Sequence, residues 1–204
     1  GVQTCALPIW NVDEDDSVES YTGKIFESAM ASLDQVHHSL DMSAVNRAVD
    51  LLTQAKKIAF FGLGSSAAVA HDAMNKFFRF NVPVIYSDDI VLQRMSCMNC
   101  DDDDVVVIIS HTGRTKSLVE LAQLARENDA MVIALTSAGT PLAREATLAI
   151  TLDVPEDTDI YMPMVSRLAQ LTVIDVLATG FTLRRGAKFR DNLKRVKEAL
   201  KESR

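Results

Sequence analysis

Five short apolar runs constrain this chain more than anything else in it: Ile58–Leu63, Val82–Tyr86, Val105–Ser110, Met131–Thr136 and Leu148–Leu152. Most are rich in Val, Ile, Phe or Leu and show little polar alternation, the pattern of strands covered on both faces. Helical stretches separate several of them: Ala67–Phe80, Lys116–Asn128 and a short one near Leu142–Ala146, with Ile90–Met95 as a further candidate. Strands alternating with helices predict an α/β fold, a doubly wound, five-stranded parallel sheet flanked by helices. Right-handed crossovers bring the loops after the strands to one edge. In such sheets ligands sit outside the carboxyl ends of the strands, at a topological switch point.

Helices frame this core. Val18–Leu40 carries Ile25, Phe26, Met30, Leu33 and Val36 at helical spacing, and Ser43 is read as the cap of a second helix reaching about Gln54. After Asp153 comes a loop, Val154–Pro163, with two prolines and three acids. The helix that follows, Val165–Leu183, is apolar on more than one face, which suits burial against the sheet or a second subunit. A basic helix, Lys188–Lys201, closes the chain, and its charges read as a solvated face. The acidic tract Asp13–Asp16 reads as a solvated linker. Residues 1–10 fit nothing that follows and resemble translated sequencing-adapter text, so they are expected to be non-native. Residues 11–56 then form a linker and N-terminal helices, and residues 57–204 the ligand-binding domain.

The net charge of −7 argues against nucleic-acid binding by this part alone, because its mean field repels phosphate backbones. Any phosphate it binds must be held by local geometry. No apolar run reaches the roughly 18 residues needed to span a bilayer, and no signal-peptide pattern is present, so the expectation is a cytoplasmic protein. Cys97 and Cys100 form a C-x-x-C pair that is half a zinc site at best, and ordinary reduced thiols are the plainer reading. No metal or cofactor is expected.

The loops after the strands carry the chemistry. Gly62-Leu63-Gly64-Ser65-Ser66 follows the first strand, where glycines allow close backbone approach and the opening of a helix favours an anion. It is not a dinucleotide fingerprint, since Ala67 stands at the third glycine, although Asp88 and Asp89 lie at a spacing compatible with one. A tight turn with a serine cap is the plain alternative. After the third strand, Ser110-His111-Thr112-Gly113-Arg114-Thr115 puts three hydroxyls, a glycine and a helix start within six residues. Ser110, Thr112 and Thr115 can donate to phosphate oxygens beside backbone N–H groups. Thr136-Ser137-Ala138-Gly139 adds small polar residues on the same edge, with an ordinary turn before Pro141 as the alternative.

These two loops resemble the phosphate loops of the sugar isomerase (SIS) domain, and Ser166-Arg167-Leu168-Ala169-Gln170-Leu171 resembles the start of the long C-terminal helix in SIS domains of RpiR-family transcriptional regulators. The likeness runs from about Ser17 to Arg204. It implies an effector-sensing domain, with DNA contacted only through a helix-turn-helix domain N-terminal to it, and a homo-oligomer, dimer or tetramer. The effector it implies is 2-keto-3-deoxy-6-phosphogluconate, which lowers operator affinity. The family's effector-binding serines fall on Ser66 and Ser110. Gly64, Ser65, His111, Thr112, Gly113 and Thr115 complete the implied phosphate site. An effector carboxylate calls for a cation. Arg114 and Arg167 are the nearest by motif, with Ser137 and Ser166 as further contacts; Lys57 lies at the opposite strand end.

The same fold also hosts isomerases, which need a Glu or His base. His71, His111, Glu145 and Glu156 are the candidates, and none stands in a setting that marks it as a base. His71 reads as a packed or surface histidine and Glu156 as a solvated charge. No catalytic residue is assigned.

Overall fold

A strand with both faces buried must satisfy its backbone groups from neighbouring strands. The computed structural model, which describes residues 12–156 and 164–201, shows the apolar runs doing so. Strands β1 (Lys57–Gly62), β2 (Val84–Ser87), β3 (Asp104–Ile109), β4 (Met131–Thr136) and β5 (Leu148–Thr151) form one sheet in the order β2-β1-β3-β4-β5. Every pairing is parallel. The helices are α1 (Val18–Ser39), α2 (Met42–Gln54), α3 (Ser65–Phe77), α4 (Ile90–Met98), α5 (Lys116–Glu127), α6 (Pro141–Glu145), α7 (Val165–Arg184) and α8 (Gly186–Lys201). Residues 1–10 and the 157–163 part of the expected acidic loop lie outside the described residues.

The pleat sorts side chains into two cores. Ile58, Phe60, Val105, Val107, Ile109, Ile133 and Leu135 point to one face and pack with α2, α3 and α7. Ala59, Phe61, Val106, Ile108, Val132 and Ala134 point to the other and pack with α5, Cys97 of α4 and Leu142 of α6. On the first face a cluster of Phe77, Phe80, Phe181 and Phe189 locks α3, α7 and α8 together, with Phe80 stacked on Phe181 at 5.0 Å between centroids. Among the described residues no helix is long and apolar enough to cross a membrane.

Several expected boundaries move. Asp41, not Ser43, caps α2: its carboxylate accepts from the Ser43 and Ala44 N–H groups, and Ser43 lies within the helix. The helix read through Phe80 stops at Phe77 and tightens into a 3-10 turn, Phe78–Phe80, ended by Asn81 at a left-handed φ of 55°. β2 starts at Val84 because Pro83 has no N–H to give; its carbonyl accepts from Ile58 instead. The acidic tract is not wholly solvated. Asp16 binds Lys24 and accepts from the Ser20 hydroxyl, and these contacts hold its carboxyl down at about 2.

α4 runs three residues further than expected and takes Cys97 with it. Cys97 is fully buried, and burial pushes its thiol up to about 12; burial raises the half-buried Cys100 as well. A thiol that stays protonated is a poor nucleophile. Iodoacetamide at pH 8 is therefore expected to leave Cys97 unlabelled in the folded chain and to label it in urea. Rapid labelling without denaturant, read by mass spectrometry, would refute this.

Candidate functional site

The strand order reverses between β1 and β3, because the chain leaves β1 toward β2 on one side and reaches β3 on the other. Gly62 pairs with Ile109 at the carboxyl ends of these strands. The loops 62–66 and 110–115 therefore open side by side at the switch point, where crossover helices diverge and leave a crevice.

Loop 62–66 turns from strand to helix with almost no room. A Cβ on Gly62 would lie 2.7 Å from the Ser66 carbonyl oxygen. Gly64 then caps α3 without a side chain, and the Ser66 and Ala67 N–H groups bond back to the Leu63 and Gly64 carbonyls at 3.2 and 3.1 Å. Ser65 is half-buried and Ser66 is buried, and neither hydroxyl has a hydrogen-bond partner among the described residues. Gln93 of α4 supports the loop from below. Its amide donates to the carbonyls of Gly62 and Ser87, at 3.2 and 2.7 Å, and its own side-chain oxygen is buried without a partner.

Loop 110–115 is fixed by its own residues and by the β4–α6 loop. The Ser110 hydroxyl oxygen accepts from the Gly113 N–H at 3.2 Å. Gly113 has a φ of +57°, and a Cβ there would collide with the side chains of the buried Thr136 and Thr140. Its carbonyl accepts from Leu142. The His111 carbonyl accepts twice, from the Ser137 N–H and from the Ser137 hydroxyl at 2.9 Å. Ser137 thus works as a clip between the two loops. Thr115 caps α5 without using its hydroxyl, and Thr112, Arg114 and Thr115 are exposed. His111 is half-buried.

The remaining expected residues sit at the start of α7. Glu156 is not a solvated charge: its carboxylate accepts from the Met164 and Val165 N–H groups and from the Ser166 hydroxyl. It fills the N-terminal turn of α7 as an anion would, and Ser166 is committed to it. Arg167, half-buried, and Arg114 have no acidic partner among the described residues. His71 is exposed on α3 and stacks on Tyr86, 4.8 Å between centroids. Glu145 faces Arg126 at 4.0 Å, and Asp89 caps α4. Lys57 pairs with Asp104 at the amino ends of β1 and β3, at the far edge from the crevice.

Gln93 and Thr140 were not legible as site residues, and Thr136 stood out only as part of the small polar turn after the fourth strand. Only the threonines carried a signal, two hydroxyls flanking the Ser137–Gly139 turn.

Comparison with known proteins agrees with this fold. Residues 51–180 match the SIS domain. Over 194 residues, 95% of this chain, it is 94% identical to the HTH-type transcriptional regulator HexR of Escherichia coli K12, and it spans 67% of that protein's length. It is 58% identical over 189 residues to the HexR of Pseudomonas aeruginosa, covering 93% of this chain and 66% of that one. Among solved structures it resembles the Vibrio vulnificus NanR protein complexed with ManNAc-6P, with a TM-score of 0.82 at 23% identity over 92% of this chain and 71% of the other. With the matched segment running from the end of α2 to the last turns of α7, and with both crevice loops inside it, the chain belongs to the SIS domain family.

Proposed function

We propose that this chain is the effector-sensing part of a DNA-binding transcriptional repressor of central carbon metabolism. It takes a phosphorylated sugar acid, 2-keto-3-deoxy-6-phosphogluconate, in the crevice between loops 62–66 and 110–115. The carrying observation is the pairing of two helix N-termini that no side chain caps, at α3 and α5, with the hydroxyls of Ser65, Ser66, Thr112 and Thr115 at the β1/β3 switch point. N–H groups and hydroxyls converging there suit a phosphate without a lysine. Gly64 and Gly113 set the backbone, and Ser110 holds the second loop while lining it. His111 closes the crevice between them. Arg114 and Arg167, both without acidic partners, suit the effector's carboxylate. Ser137 and Ser166 act one step behind, on the loop and on Glu156. The high identity to named transcriptional regulators supports the sensing role. DNA recognition is assigned to a helix-turn-helix part preceding this domain, not to residues 12–201.

An isomerase would need a base free to move a proton. Glu156 has its oxygens occupied by α7, and His71 is stacked on Tyr86. The match to named transcriptional regulators makes sensing the better reading, with sugar-phosphate isomerisation as the alternative. Exposed apolar residues on the neighbouring helices α1 (Ile25, Phe26, Met30) and α7 (Leu168, Val176) support a homo-oligomer, with these faces as the contact.

Thermal unfolding with 2-keto-3-deoxy-6-phosphogluconate, glucose 6-phosphate and inorganic phosphate tests the reading. At a hundredfold excess over Kd a ligand of the folded state adds about 2.7 kcal/mol, a rise of several degrees in Tm for a domain of this size. The keto-deoxy acid is expected to give that shift and the others little. Ser66→Ala combined with Ser110→Ala is expected to abolish it. A shift that survives in the double variant rejects the site; turnover of a hexose phosphate by the chain rejects the sensing role.

A further inference from the structure

At the opposite edge of the sheet lies a second cavity, of about 450 Å³, between the end of α3, the 3-10 turn, the end of α7 and α8. Its place is set by the chain. Phe80 leads through residues 81–83 to the start of β2, and the Pro83 carbonyl accepts from Ile58 at the start of β1. The cavity therefore opens at the amino ends of the strands, away from the crevice.

Its lining is strongly cationic. Lys76, Arg79, Arg190, Lys194 and Lys197 face it, against a single acid, Asp175. On α8 the cations recur at 190, 194 and 197, one helical stripe. Lys76 is neutralised by Asp72 and Asp175, and Lys194 lies 3.3 Å from Asp191. Arg79, Arg190 and Lys197 have no acidic partner among the described residues. All three are exposed, so solvent and salt screen their mutual repulsion in part, and an anion between them relieves the rest. The anomaly is local. Residues 184–201 hold eight cations and two acids, net +6, in a chain whose net charge is −7. Phe80, Ala178 and Leu193 add apolar lining, and Phe80 and Ala178 are buried, so they form its floor; Thr179 also lines it.

A convex basic strip would suit a nucleic-acid backbone. An open groove of this volume, with exposed cations around apolar residues, can seat a small molecule where a flat strip cannot. We infer that this cavity is a second ligand site, for a small polyanion bearing two or more phosphate groups, separate from the crevice. Arg79 and Arg190 grip phosphate in planar, two-pronged fashion, and Lys197 adds a point charge.

Isothermal titration at fixed ionic strength tests this, with tripolyphosphate and fructose 1,6-bisphosphate as probes. The two arms distinguish an inorganic from an organic source of the same chemistry; tighter binding of the bisphosphate would give the apolar floor a role. Both the unaltered chain and Ser66→Ala/Ser110→Ala are expected to bind, whereas Arg79→Gln/Arg190→Gln/Lys197→Gln weakens binding at least tenfold. The glutamines keep the apolar stems, so the triple variant's own Tm reports whether it folds. Arg190→Lys alone, which keeps charge and loses the fork, is expected to weaken binding less. The inference falls if neither probe binds, if the triple variant binds as tightly as the parent, or if the crevice variants abolish binding. It also falls if a short DNA duplex binds through these cations while neither probe does.

Discussion

Gly113→Ala is expected to lower the midpoint of thermal unfolding by about 10 °C, taking roughly 2–4 °C per kcal/mol for a domain of this size, and to remove effector-dependent stabilisation with it. Two separate costs combine. A φ of +57° suits glycine, and an L side chain there costs roughly 1–2 kcal/mol. The new Cβ would also lie 2.6 Å from the Thr140 Cβ and closer still to the hydroxyl oxygens of Thr136 and Thr140. These threonines cannot swing away freely. Thr140 donates to the Ser137 carbonyl and accepts from the Ala143 N–H, at 3.0 and 3.2 Å, and both residues are buried. Overpacking of this kind costs about 1–3 kcal/mol. Gly139→Ala is the control: its φ of +68° carries the same strain, but nothing lies within 4 Å of its added Cβ. Equal losses in the two variants would mean that the threonine wall does not shape the loop.

Phe181→Ala is expected to cost about 3–5 kcal/mol, the usual range for a buried phenylalanine, measured by urea unfolding. Phe181 is 1% exposed and touches Phe77 at 5.5 Å, Phe80 at 5.0 Å and Phe189 at 5.9 Å between centroids. Its removal unpins α7 from α3 and α8 together. Phe78, one residue from the same cluster, is 74% exposed, and its replacement by alanine should change stability by no more than about 0.5 kcal/mol. The crevice lies at the other end of the sheet, so effector-induced stabilisation should survive in Phe181→Ala. A loss under about 1 kcal/mol, at the low end for buried substitutions, would show that the cluster closes around the missing ring.

The sheet was the most legible part of the sequence, for a physical reason. Residues such as Val106, Val107 and Ile108 are buried whichever way they point, so the run stays apolar throughout and cannot pass for a surface element. The weaker features were those decided by single hydrogen bonds. Asp41 and Ser43 are both good caps, and only the backbone path shows that the carboxylate reaches two N–H groups first. The end of α3 turned on Asn81 entering the left-handed region, which asparagine tolerates without requiring. In the crevice, the glycines and hydroxyls stood out by composition. Glu156 did not, because a carboxylate before a helix reads as solvent-facing until the turn beneath it is seen. Gln93 was silent for a similar reason: its partners are backbone carbonyls, at Gly62 and Ser87, that no side-chain pattern marks.

The Ser137 clip has a thermodynamic consequence. Loop 110–115 is tied through the His111 and Gly113 carbonyls and the Ser110 hydroxyl before any ligand arrives. Ordering a free backbone costs about 1–2 kcal/mol per residue, and here that cost falls on folding rather than on binding. Recognition can then be stringent without being slow, since the donors need not be recruited one at a time. A rigid receptor loop also leaves little slack to absorb a ligand's arrival. For the proposed effector, a signal would then pass as displacement of helices, and α5, which begins directly after Thr115, is the nearest to this loop.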